Sequence, residues 1–126
     1  MTRDHIPLWA WTAIILLVVL PWAGFQDHAH WQRVGWIPFV SPPVKVTDVL
    51  VNILLYVPWG YFYVRRTPEP RGRPWLVVLF AAMLSIATEV AQLYSHGRFP
   101  STTDATCNVL GACVGGWHAR RRVAGQ

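Results

Sequence analysis

Four long apolar runs leave this chain few ways to fold. They cover residues 6–25, 46–64, 74–94 and 105–119. A helix needs roughly 20 apolar residues to cross the hydrocarbon of a bilayer, with a range of about 17 to 25. The first three runs meet that length, and the fourth is the shortest. Unpaired N–H and C=O groups are costly at bilayer depth, so segments of this kind are expected to be helical. The sequence predicts an all-α membrane protein in which residues 1–126 form one domain, a four-helix transmembrane bundle.

Composition excludes the main alternatives. The chain is 53% hydrophobic and 13% charged, against roughly 25% charged residues in soluble domains. Such a chain has too little charge to cover a water-exposed surface, and too much apolar character for disorder. Two cysteines are too few for a disulfide scaffold. The net charge is +5, which raises nucleic-acid binding as a question. The arginines answer it, because they form short clusters (Arg65, Arg66, Arg71, Arg73 and Arg120, Arg121, Arg122) instead of a stripe along one helix face. No nucleic-acid partner is expected.

Clusters that flank apolar runs set an orientation. Arg3, the 65–73 loop and the 120–122 tail fall on one side if all four helices cross. The connectors on the other side hold only Arg33, Lys45 and Arg98. Both termini are therefore expected in the cytoplasm, with the protein multi-pass in a bacterial inner membrane. Trp9, Trp11, Trp59, Trp75 and Trp117 are expected at the inner interface, and Trp22, Trp31, Trp36 and Tyr94 at the outer one. No Ala-x-Ala site follows the first run, so it is read as an uncleaved helix. The connector from Asp27 to Lys45 carries Trp31, Val34, Trp36, Ile37, Phe39 and Val40. Its simpler reading is an amphipathic segment in the outer headgroup layer; its sharper one is a lid over a site between helices.

Residues 47–60 and 103–116 share the pattern T-D-x-x-x-N-x-L, with Gly60 and Gly116 at the same offset. Both segments run outside to inside, so the repeat is parallel and relates two helix pairs about an axis along the membrane normal. Asp48 and Asp104 open their helices, where orphan N–H groups and the dipole favour a carboxylate. Asn52 and Asn108 sit one turn deeper on the same face. Glu89 lies inside the third run, with Gln92 three residues later. A charge at that depth needs a partner, and Arg98 in the next connector supplies one. Asp48, Asn52, Glu89, Gln92, Arg98, Ser101, Asp104 and Asn108 are thus expected to converge at the outer ends of three helices as a binding site. A purely structural ion network is the competing reading.

Gly111 and Gly115 form a G-x-x-x-G helix-contact motif. Cys107 and Cys113 face different directions at 100° per residue and are read as packing residues. His5, His28, His30, His96 and His118 are read as interfacial, with His28 and His30 diverging unless the loop folds back. No metal site and no cofactor are expected.

These residues resemble the VanZ-like family of small integral membrane proteins. The matching stretches are Asp48-x-x-x-Asn52-x-Leu54 with Pro58 and Gly60, Glu89-x-x-Gln92, and Gly97-Arg98-Phe-Pro-Ser-Thr-Thr-Asp104-x-x-x-Asn108-x-Leu110-Gly111 with Gly115. They span about residues 48–116, and the first helix matches in position and character. In this family the Ser101 position is often an acid. The resemblance implies a multi-helix inner-membrane protein. The family's founding member is linked to resistance to glycopeptide antibiotics, notably teicoplanin.

Three functions follow as expectations. The first is a non-enzymatic envelope protein that binds a lipid or lipid-linked headgroup at the outer leaflet, with Arg98 holding a phosphate. The second is an intramembrane hydrolase or transferase with Glu89 as catalytic acid or base, although no nucleophile motif accompanies it. The third is a small proton-coupled carrier. Expected partners are membrane lipids or lipid-linked envelope precursors, with a homo-oligomer or other membrane proteins as further partners.

Overall fold

The computed structural model describes residues 6–20, 25–40, 45–66, 74–95 and 100–125. Among them are four α-helices: α1 (Ile6–Val19), α2 (Val46–Arg66), α3 (Pro74–Leu93) and α4 (Thr102–Ala124). A single 3₁₀ turn, Trp31–Arg33, lies in the connector between α1 and α2.

Helix α1 stops six residues before the end of its apolar run. Pro21 explains the stop, since a proline disfavours helical geometry in the residue before it, here Leu20. Helix α4 differs in the opposite direction. It begins three residues before the apolar run and continues five residues past it. Its start is set by Ser101, whose hydroxyl accepts the Thr103 N–H at 3.1 Å, so the N-cap is Ser101 and not Asp104. At its other end the arginines are good helix formers and suit the negative end of the dipole. Helices α2 and α4 begin at equivalent points of the repeat, Val46 and Thr102. Asp48 and Asp104 therefore both occupy the first turn.

Side-chain bonds give the helix directions. Arg66 near the end of α2 lies over the Trp9 ring near the start of α1, 5.8 Å from its centroid. Deeper in the pair, the Trp59 indole donates to the Thr12 hydroxyl at 3.1 Å, and the Trp11 indole donates to the Leu55 carbonyl. So α1 and α2 are antiparallel. Helices α3 and α4 are antiparallel too, with Asn108 bonded to Ser85 and Gly116 facing Val77. Helices α2 and α4 run parallel, because their contacts advance together: Gly111 on Ile53, Gly115 on Val57, Gly116 on Val64. A Cβ on Gly111 would stand 2.5 Å from the Ile53 carbonyl oxygen, and one on Gly60 2.7 Å from the Ala112 carbonyl carbon. Only glycine permits this backbone-on-backbone approach. The result is an up-down-up-down bundle with the start of α1 and the end of α4 at one end.

The core is Leu8, Ile15, Val19, Tyr56, Trp59, Val64, Val77, Ala81, Ala112 and Ala119. Two tryptophans expected at the inner interface belong here instead. Trp59 is buried and Trp11 half-buried, because each indole N–H finds an acceptor across the α1–α2 contact. Pro58 lies inside α2 and lacks an N–H, so the Leu54 carbonyl, next to the Leu55 carbonyl that Trp11 uses, has no helical donor. Trp9, Trp75 and Trp117 are exposed at the arginine-bearing end. Of the described helices, α3 over Trp75–Leu93 is long and apolar enough to cross a membrane; α1 over Pro7–Val19 is apolar but shorter.

Candidate functional site

The polar residues lie toward the end of the bundle where α3 finishes and α2 and α4 begin. Glu89, half-buried one turn before the end of α3, accepts the Ser101 backbone N–H at 2.8 Å through Oε2. A carboxylate there faces the positive end of the α4 dipole and an N–H with no intrahelical partner. Asp104 is half-buried in the first turn of α4, and Asp48 is exposed in that of α2. Arg98 lies outside the described residues.

The amides have found partners within the bundle. Gln92 is buried, and its Nε2 donates to the Val19 carbonyl at 3.0 Å, tying the end of α3 to the end of α1. Val19 closes α1, where carbonyls lack helical donors, so this bond satisfies a helix end. Asn52 Nδ2 donates to the Asp48 carbonyl of its own helix at 2.8 Å. Asn108, its repeat counterpart, is fully buried and donates to the Ser85 hydroxyl on α3 at 2.8 Å. The two asparagines thus occupy the same repeat position in different surroundings.

The connector covers this end. Its first part bonds to the end of α3, with Gln26 N–H to the Tyr94 carbonyl at 2.7 Å and His30 N–H to the Leu93 carbonyl at 2.8 Å. Its second part bonds to the start of α4. Gly35 N–H donates to the Pro100 carbonyl at 2.9 Å, and Thr102 N–H donates back to the Gly35 carbonyl at 2.9 Å. The Thr102 hydroxyl also reaches the Gly35 and Trp36 carbonyls. Phe39 N–H donates to the Thr103 hydroxyl at 2.7 Å. Phe39 is held at φ +62°, a region that L side chains occupy at a cost. The segment is tied down over the helix ends, yet it turns an apolar face outward. Trp31 and Trp36 stack with rings 6.3 Å apart and 3° from parallel, and both are exposed, as are Ile37, Phe39 and Val40.

The loop does fold back at its histidines. The His28 and His30 rings meet edge-on at 4.6 Å, and His28 Nδ1 lies 3.0 Å from the Asp27 carboxylate. That hydrogen bond is the main reason the exposed Asp27 carboxyl is held below its ordinary value. No group of three or more His, Cys, Asp or Glu among the described residues is arranged to hold a metal ion. Cys107 and Cys113 are free thiols, Cys107 buried.

Sequence reasoning missed Tyr56, Ser85 and Thr88. Tyr56 and Ser85 are fully buried and Thr88 nearly so, at the α2–α3–α4 junction. The available signal was Ser85, Thr88, Glu89 and Gln92 at helical spacing along one stripe of α3.

The family described as VanZ/LLP1 has a model that matches residues 6–122. No curated protein and no solved structure matches the chain.

Proposed function

The chain belongs to the VanZ/LLP1 family, and on that premise we propose that it is a multi-pass envelope protein of the bacterial inner membrane. In this reading both termini are cytoplasmic, and the connector-covered end takes the headgroup of a lipid or lipid-linked envelope precursor in the outer leaflet. The membrane part is supported by apolar side chains turned outward on every helix. Examples are Leu17 and Val18 on α1, Leu54 on α2, Met83 and Ile86 on α3 and Val114 on α4. A water-exposed bundle with so wide an apolar surface would aggregate.

The observation that carries the headgroup reading is Glu89, fixed against the start of α4 beneath a connector whose stacked Trp31 and Trp36 point outward. Aromatic rings favour headgroup depth. Asp48 and Asp104 open toward the same end, and Arg98 is the sequence neighbour able to hold a phosphate bidentately. Gln92, Asn52 and Asn108 act as framework in this reading, because each already donates to a group in the bundle.

The test is native mass spectrometry of the protein released from nanodiscs of inner-membrane lipid, comparing wild type with Arg98→Ala. Loss of the co-purifying lipid with unchanged thermal stability is expected. Equal lipid retention in Arg98→Ala would refute the assignment. The link to glycopeptide tolerance is tested separately, by the teicoplanin concentration that inhibits a host expressing wild type or Arg98→Ala.

A further inference from the structure

The buried Tyr56 hydroxyl and the buried Asn108 Oδ1 have no hydrogen-bond partner among the described residues. Tyr56 is 0% exposed and Asn108 1%. Buried polar groups of this kind are normally satisfied, and each exception calls for an explanation. The two atoms belong to one neighbourhood. Asn108 Nδ2 donates to the Ser85 hydroxyl at 2.8 Å, and the Tyr56 hydroxyl lies within weak interaction reach of Thr88 and Ser85, short of a well-formed hydrogen bond with either. Three helices therefore bring three hydroxyls and an amide to one point, a turn below Glu89.

The donors and acceptors can be counted. Tyr56 has a proton to donate. The Ser85 oxygen accepts from Asn108, leaving its own proton for another group. Asn108 Oδ1 has no donor. Thr88 donates to the Ser85 carbonyl at 2.8 Å, leaving its oxygen's lone pairs available. Two protons and two acceptors from three helices match what one water molecule gives and takes, and buried waters make about three such bonds, with a range of about 2 to 4. An anion does not suit the place, because the unsatisfied Asn108 atom is an acceptor.

We propose that the α2–α3–α4 junction is a binding site for a single buried water, which accepts from the Tyr56 hydroxyl and donates to Asn108 Oδ1. This water joins α2 to α4 in a second way, independent of the glycine contacts, and makes Asn108 part of the frame. It stands apart from the headgroup reading and does not depend on it.

An experimental map that resolves ordered water should carry a peak within about 3.2 Å of both Tyr56 Oη and Asn108 Oδ1. A direct Tyr56–Asn108 hydrogen bond, or no peak, overturns the proposal. A mutant cycle gives a solution readout. Tyr56→Phe should raise the unfolding constant roughly five- to tenfold in wild type, in line with one lost buried hydrogen bond, and less than about twofold in an Asn108→Ala background. Should Asn108→Ala not fold, Ser85→Ala replaces it as the second arm. Fully additive losses overturn the proposal.

Discussion

Gly115→Ala and Gly116→Ala place the same methyl group on adjacent residues of α4, yet they should act in opposite directions. At Gly115 the new Cβ would stand 2.8 Å from the Val57 carbonyl carbon and 2.9 Å from the Tyr61 nitrogen, both backbone atoms of α2. Ordinary contact begins at 3.4 Å, so the helices must separate by at least the difference, 3.4 − 2.8 = 0.6 Å, and the Val57 oxygen demands more. A gap of about 0.5–1 Å forfeits a quarter to a half of each dispersion contact it opens. The α2–α4 seam extends to Ile53–Gly111 and Gly60–Ala112, so the loss spreads along both helices. Overpacking a tight site costs about 1–3 kcal/mol and occasionally more. Alanine's better helix propensity returns at most about 1 kcal/mol. A net loss of about 2 kcal/mol is expected, or roughly 8 °C in Tm for a chain of this length. At Gly116 the nearest atoms are Val64 Cγ2 at 3.2 Å and Val77 Cγ1 at 3.5 Å, methyl groups instead of backbone, so a shift of 3.4 − 3.2 = 0.2 Å relieves the contact. There the propensity gain should leave Tm level or slightly higher. Thermal unfolding of both variants in the same detergent, followed by circular dichroism, makes the comparison. Equal Tm values for the two variants would refute the backbone-contact argument.

Other outcomes follow from single contacts. Gln92→Leu removes the α3–α1 bond to Val19 and should lower stability by about 1 kcal/mol, read as a Tm loss with helix content unchanged. Trp59→Phe keeps the ring in the core but loses the bond to Thr12; a loss of about 1 kcal/mol is expected, and it should vanish in a Thr12→Val background. The His28 contact lowers the Asp27 pKa, so it is present at neutral pH and disappears as pH falls through that lowered value. In an NMR titration Asp27 should titrate below the ordinary 3.8 in wild type and return toward it in His28→Ala. The start of α1 and the end of α4 lie at one end of the bundle, so reporter fusions to the two termini should report the same compartment.

The parts of the fold that were legible depend on neighbours close in sequence. The T-D-x-x-x-N-x-L repeat and the offset of Gly60 and Gly116 indicated two parallel helices in register, and α2 and α4 begin at matching positions of that repeat. Glu89 was legible as a group needing a partner. One partner is a helix-end N–H, that of Ser101, which no side-chain pattern announces. Trp11 and Trp59 were misplaced at the interface because their burial depends on acceptors more than forty residues away in sequence. Gln92 and Asn108 looked like ligand contacts for the same reason, since the Val19 carbonyl and the Ser85 hydroxyl that hold them are known only from the packed bundle. The short α1 could have been read from Pro21, but a hydropathy window averages over that proline.

The ties of the connector set how often this end of the molecule can uncover itself. Five backbone N–H bonds run between it and the rims of α3 and α4: Gln26–Tyr94, His30–Leu93, Gly35–Pro100, Thr102–Gly35 and Phe39–Thr103. At a net value of about 1 kcal/mol each, lifting the whole strap costs about 5 kcal/mol, leaving it raised in on the order of one molecule in several thousand. Anything that exchanges rapidly with Glu89 below would then have to slip in sideways, between the helices.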